Sequence, residues 1–425
     1  MNTKVKLTVL NFLEFAVWGA YLTSMGTYLA GVGMAGEIGW FYSVQGFVSL
    51  CMPALMGIVA DRWMEAQRLL SLSHLLAGIF MLAACAYGWQ AGDAVQFGPL
   101  FTLYTLSVAF FMPTIALSNS VAYSALDQAG LDTVKAFPPI RVFGTVGFII
   151  SMWIVDLGGM QGTSLQFGWS GLLSLVMAIY ALNMPHCPTS RDTRKSVVDA
   201  LGLKAFALFR NYRMALFFIF SMFLGVCLQI TNGFANPFIT SFGNIVEFKD
   251  TFGVQHANIL ISLSQMSETL CILLIPFFLK RFGIKRVMLL AMLAWVLRYL
   301  FFAVGNPGSG VIWFVLSMIV YGVAFDFFNI SGSLFVDKET SLDIRNSAQG
   351  LFMMMTNGFG ATIGTLCAQQ VVNRFVFDLP AEADPMAVWQ GWNTCWYIFA
   401  AYALVVAVAF AIMFRYKHQP EEAKA

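Results

Sequence analysis

The chain has 425 residues, 59% of them hydrophobic and only 11% charged, with a mean hydropathy of +0.73. Soluble globular chains carry about 25% charged residues, so this composition marks a polytopic membrane protein. The net charge of +2 excludes a basic nucleic-acid-binding surface, and the seven scattered cysteines form no CxxC or Cys/His cluster, so they read as small packing residues, with no metal or other cofactor expected.

A helix needs about 20 apolar residues to cross a bilayer. In chain order, candidate spans lie near 7–30, 39–60, 69–90, 98–122, 139–157 and 166–184, then near 212–240, 256–279, 287–304, 311–335, 346–372 and 392–414. The basic start MNTKVKL followed by an apolar run resembles a signal peptide. The run continues to about Ala30 without a small-x-small cleavage site, however, so it is read as a retained first helix. The longest polar stretch, 185–211, carries Pro185, Pro188, Arg191, Asp192, Arg194 and Lys195. It separates a bundle over 1–184 from a second over 212–425, and its end, VVDALGLKAFALFR, suits an interfacial amphipathic helix.

Positive charge sets the orientation. With the N-terminus inside, 20 of the 24 Lys and Arg fall in inside segments, Lys249 and Arg374 fall outside, and Arg141 and Arg298 lie within spans. Such a bias predicts twelve spans with both termini cytoplasmic. An internal repeat agrees: Gly57–Arg68 (GIVADRWMEAQR) follows the second span of the first half, and Pro276–Arg286 (PFFLKRFGIKR) follows the second span of the other. Two homologous six-helix halves are a recurring plan of secondary transporters. Asp61-Arg62 resembles the loop signature of the major facilitator superfamily, with Trp63 where that superfamily carries Gly.

Five charges lie inside the spans: Glu14, Arg141, Glu268, Arg298 and Asp326. Each would cost about 2.5–3.5 kcal/mol at a lipid-facing helix centre, so each must pair, line a wet cavity or be neutral part of the time. In YGVAFDFFNISG (321–332), Asp326 is flanked by Tyr321, Phe325, Phe327 and Phe328, with Asn329 one turn on. A carboxylate in so apolar a setting pays heavily for its charge and suits a proton relay, while the rings offer flat faces to a planar ligand. In SLSQMSETL, Gln265 and Glu268 are spaced i, i+3 beside Ser262 and Ser264, which reads as a cavity wall with a titratable carboxylate or as an interhelical clamp. In LQITNGFANP, Gln229 and Asn232 present amides with both donors and acceptors, and Gly233 and Pro237 loosen the helix. In FPPIRVFGTVGF, Arg141, Thr145 and Phe148 form one stripe; Arg141 either snorkels to the headgroups or pairs with Asp326 or Glu268. Arg298 reads as a snorkelling or structural residue. Glu14 fits a cavity or a structural pair equally, Asp156 a solvated helix end, and His74 and His256 structural roles.

These strings, with MPALMGIVADRW (52–63), LGLKAFALFRNYRMALFFIFSM (201–222), SQMSETLCILLIPFFLKRFGIK (264–285) and SAQGLFMMMTNGFG (347–360), resemble the nucleoside:proton symporters of the major facilitator superfamily nearly end to end. The resemblance implies an all-α membrane protein with the major facilitator fold, resident as a monomer in a bacterial inner membrane. It implies uptake of purine and pyrimidine nucleosides with protons by alternating access. The implied substrate residues are Arg141, Thr145, Phe148, Gln229, Asn232, Gln265, Glu268, Tyr321, Phe325 and Asp326, with proton coupling by Asp326, Glu268 and Arg141. Glu14 departs from one member of that family, which carries an amide there, and is a candidate accessory carboxylate. The spans hold no surplus of Lys or Arg to neutralise phosphate, which favours a nucleoside over a nucleotide. A proton-coupled sugar or other small-solute symporter on the same fold is the alternative. Facilitated diffusion without a proton and a receptor-like sensor are further readings, and no HExxH or GxSxG string supports a membrane enzyme.

Overall fold

The computed structural model describes residues 2–187, 203–341, 344–380 and 382–416, and among them every regular element is helical. Nine of these helices are long and apolar enough to cross a membrane, and Leu165–Ala181 is apolar but shorter. The chain divides into two compact units, the first comprising Met1–Leu201 with Asn232–Pro237 and the second Gly202–Thr231 with Phe238–Ala425.

The first unit contains α1 (Thr3–Gly19), α2 (Met25–Gly31), α3 (Ile38–Arg62), α4 (Ala66–Ala91), α5 (Phe97–Gln128), α6 (Thr133–Leu157) and α7 (Leu165–Ala181). The span expected near 7–30 is broken at Ala20–Ser24. Non-helical backbone at membrane depth is tolerated only where protein satisfies it. Here Tyr42 Oη donates to the Leu22 carbonyl at 2.5 Å, and Ser24 Oγ donates to Gln166 Oε1 at 3.0 Å. α1 and α6 pack with their backbones almost touching. A Cβ on Gly19 would overlap the Phe148 backbone, and one on Gly147 would overlap that of Phe12. Small residues at such crossings are how membrane helices gain van der Waals contact without a hydrophobic driving force.

The second unit contains α8 (Tyr212–Ser241), whose Asn232–Pro237 stretch groups with the first unit, α9 (Ala257–Val304), α10 (Val311–Glu339), α11 (Arg345–Met353), α12 (Ala361–Val372) and α13 (Pro385–Met413). α9 runs 48 residues, but Gly283 inside it is not helical (φ 75°, ψ 167°). That break falls between the spans expected at 256–279 and 287–304, and only glycine adopts this conformation without strain. α11 and α12 are joined by a π-helical turn, Met354–Gly360. The glycine crossing of the first unit recurs here. Gly225 of α8 lies against the Thr356 backbone, and Gly364 of α12 against Val226. In each half, then, the first and fifth predicted spans meet through glycines.

The turn between α3 and α4 is organised by Glu65. Its carboxylate meets Arg68 at 3.2 Å and His186 at 3.2 Å and accepts from Gln67 Nε2 at 2.7 Å. Of the expected linker, 188–202 lies outside the described residues, including the start of VVDALGLKAFALFR; its end, Leu203–Arg210, is a 3-10 helix.

Candidate functional site

Each unit carries its own part of the predicted residue set. In the first, α6 turns Val142 and Phe143 outward and buries Gly144, Gly147 and Phe148, leaving Arg141 and Thr145 half-buried on the same stripe. Gly144 matters because it leaves room beside the Phe15 ring, over which the Arg141 guanidinium lies at 3.9 Å from the centroid. Arg141 therefore stacks within its own unit rather than only snorkelling, a contact sequence spacing gave no sign of. Phe148 stands edge-on to Trp18 at 6.3 Å and 83°, and Trp18 Nε1 donates to Gln45 Oε1 at 3.2 Å. Asn232 is half-buried in the stretch of α8 that belongs to this unit.

Glu14 lies in no open cavity. It is fully buried against His74, with Oε2 at 2.9 Å from Nε2, and Thr114 Oγ1 donates to its Oε1 at 2.5 Å. Glu14 is therefore paired, and His74 is its partner rather than a lone histidine. Asp156 is likewise buried at its helix end, accepting from Gln161 Nε2 at 2.8 Å, rather than simply solvated.

In the second unit, α10 presents Tyr321 and Phe325 as a parallel ring pair, 5.7 Å apart and 5° from coplanar. Asp326 follows, 5% exposed, with its Oδ2 lacking a hydrogen-bond partner. Glu268 of α9 is half-buried and near enough for its charge to act on both Tyr321 and Asp326. Gln265, one turn before it, is buried with Oε1 unbonded. Gln229 of α8 is also buried. A buried acceptor without a donor costs about 1–3 kcal/mol, so Asp326 Oδ2 and Gln265 Oε1 are placed to accept a hydrogen bond.

Several expected members belong elsewhere. Phe327 packs on Phe278 at 5.0 Å and Phe328 on Phe352 at 6.1 Å, so two of the four rings flanking Asp326 are core packing. Asn329 donates to the Phe325 carbonyl of its own helix at 3.0 Å. Ser262 Oγ bonds the Ile259 carbonyl at 2.7 Å, and Ser264 Oγ meets Met318 Sδ at 3.1 Å; both are structural. Arg298 does not snorkel. It is 2% exposed, donates to the Ser317 carbonyl at 2.8 Å and Ser264 Oγ at 3.3 Å, and lies 4.5 Å over the Tyr321 ring. Of its two readings the structural one fits, and the snorkelling one fails because hydropathy places a charge by depth and not by the helix face it occupies.

Apolar spans carrying buried carboxylates beside a ring pair define a multi-pass membrane transporter. The profile of the family described as Nucleoside H+ symporter matches residues 1–419. Xanthosine permease of Escherichia coli K12 is 47% identical over 429 residues, covering 100% of this chain and 99% of that protein. Nucleoside permease NupG of the same organism is 45% identical, covering 98% and 97%. A crystal structure of nucleoside transporter NupG matches with a TM-score of 0.87 over 98% of this chain and 100% of that one. The chain belongs to the nucleoside H+ symporter family: it is a transporter, not an enzyme, and it moves nucleosides with protons.

Proposed function

We propose that the chain imports purine and pyrimidine nucleosides, xanthosine among them, across a bacterial inner membrane with protons, by alternating access. On this reading twelve spans form two six-helix halves with both termini in the cytoplasm, and the protein works as a monomer. The 20-to-2 charge bias, the Gly283 break and the repeated glycine crossings support it. The base stacks on Tyr321, Phe325 or Phe148, its edges meet Gln229, Asn232 and Gln265, and the ribose hydroxyls meet Asp326 and Glu268. Arg141 and Thr145 complete the set.

The observation that carries the reading is a carboxylate, Asp326, buried beside a stacked ring pair with one oxygen unbonded. A proton arriving from outside neutralises Asp326 or Glu268, the nucleoside binds, and cancelled charge permits the change of access. Release inside follows, with the fixed cation of Arg141 favouring the ionised carboxylate.

Purified protein in proteoliposomes with an imposed proton gradient tests this. Uridine, adenosine and xanthosine should accumulate, each competing with the others, and a protonophore should abolish the accumulation. Competition by free sugars with none by adenosine would favour the small-solute alternative, and accumulation indifferent to the protonophore would exclude proton coupling.

A further inference from the structure

The first unit holds a buried ionisable pair that the proposed coupling does not use. Glu14 of α1 and His74 of α4 are both 0% exposed, and the surrounding bonds limit where their protons sit. Ser174 of α7 has one hydroxyl proton, and the His74 carbonyl oxygen, 2.9 Å away, can only accept it. Ser174 Oγ therefore accepts from His74 Nδ1–H at 3.0 Å. With Nδ1 protonated, the 2.9 Å contact from Nε2 to Glu14 Oε2 needs a proton of its own. Either an imidazolium donates to a carboxylate, or a carboxyl donates to an imidazole. Both arrangements are net neutral.

On the far side of the carboxyl group, Thr114 of α5 shares its single hydroxyl proton between Glu14 Oε1 at 2.5 Å and the Phe111 carbonyl at 2.6 Å. α5 and α7 thus bring uncharged hydroxyls to the pair, while α6 brings the Arg141 guanidinium onto the adjacent Phe15 ring.

The pair ties α1 to α4 directly, to α5 through Thr114 and to α7 through Ser174, all at one level. One residue on, Phe15 carries Arg141. One turn on, Trp18 meets Phe111 and stands against Phe148, while the His74 ring is itself edge-on to Phe111 at 6.0 Å. We propose that Glu14 and His74 form a net-neutral positioning clamp that sets, through Phe15 and Trp18, where Arg141 and Phe148 meet the nucleoside; this rests on the reading that those two side chains bind it. The clamp keeps its proton throughout transport.

The test measures uridine KM, Vmax and gradient-driven accumulation in proteoliposomes for Glu14→Gln, Glu14→Leu and Arg141→Gln in the full chain. Glutamine preserves every bond: its amide N–H donates to Nε2 and its oxygen accepts from Thr114. Leucine preserves none. Glu14→Leu should raise KM about tenfold, the scale of one oriented hydrogen bond, and Glu14→Gln should restore it to within about twofold with full accumulation. A fall in Vmax at unchanged KM for Glu14→Leu would overturn the proposal, since a merely structural role does that. So would a Glu14→Gln protein that exchanges uridine without accumulating it, since the pair would then carry the transported proton. If Glu14→Leu does not fold, Thr114→Val replaces it, with KM expected to rise about threefold; an unchanged KM there also overturns the clamp. An unchanged KM for Arg141→Gln refutes the assignment of Arg141 to the site itself, whichever way the Glu14 variants fall.

Discussion

The guanidinium of Arg298 lies 4.5 Å over the ring of Tyr321, and Tyr321 in turn stacks in parallel on Phe325. Trp295 closes the other flank edge-on at 5.9 Å and 89°. Arg298 is anchored by the Ser317 carbonyl, while Ser317 Oγ donates back to the Arg298 carbonyl at 2.9 Å. A buried cation clamped in this way fixes the tilt of the ring it covers.

Arg298→Lys keeps the charge but loses the planar stack and the forked donors. A desolvated cation–π contact contributes about 2 kcal/mol, so nucleoside affinity should fall roughly 10- to 30-fold with the protein still folded. Isothermal titration with uridine checks this. An unchanged Kd would mean that Trp295 and Phe325 hold Tyr321 without the cation.

Asp326→Asn removes the proton-accepting group and keeps its shape. Counterflow exchange of labelled uridine should persist, while accumulation against a gradient should vanish. Each proton moved across 100 mV supplies about 2.3 kcal/mol, roughly a 50-fold gradient, so the loss is large enough to read directly. A variant that still concentrates uridine as the wild type does would leave Glu268 as the coupling group.

The apolar helices were legible because hydropathy is a local sum, nine of them long enough to span among the described residues, and the Gly283 break was legible because a basic turn interrupts one of them. The polar side chains within the helices were visible too, since amides and carboxylates stand out against apolar sequence. Side-chain facing was not. Tyr321, Phe325, Phe327 and Phe328 look alike in the sequence, yet Phe327 packs on Phe278 and Phe328 on Phe352, while Tyr321 packs on Phe325 and under Arg298. The partners of Glu14 and Arg298 were hidden for a related reason. His74 is 60 residues from Glu14, and the Tyr321 ring is on a different helix from Arg298. The break in α1 escaped because its apolar residues continue across Ala20–Ser24, and the Tyr42 hydroxyl that satisfies it comes from α3.

The turn hub gives a prediction outside the spans. Cys187 is buried, and burial pushes its thiol up from the usual range. Its N–H donates to Gln67 Oε1 at 3.1 Å, and Gln67 is held by Glu65. At neutral pH less of this thiol is therefore thiolate than of a free cysteine, so maleimide labelling of Cys187 should be slow and should rise with pH. Glu65→Ala, which releases Gln67, Arg68 and His186 together, should speed labelling about tenfold through local opening, measured by mass spectrometry of the labelled peptide. Equal rates in the two proteins would show that the hub does not hold Cys187 in place.

The glycine crossings predict a graded effect of a single methyl group. Alanine at Gly147 or Gly19 would drive its Cβ into the backbone of the facing helix, and alanine at Gly225 or Gly364 would do the same in the second unit. Backbone cannot rotate away as a side-chain tip can, so the helices must separate and lose their van der Waals contact. Overpacking of this kind costs about 1–3 kcal/mol, more than the 1 kcal/mol or so that alanine gains over glycine in helix propensity. Gly57 and Gly98 are the controls: a Cβ at either meets open space, so alanine there should leave the melting temperature unchanged or raise it. Thermal unfolding of the purified variants in one detergent separates the two groups. If all six melt together, the close approach of α1 to α6, and of α8 to the Met354–Gly360 turn and α12, does not hold the halves' first and fifth spans in place.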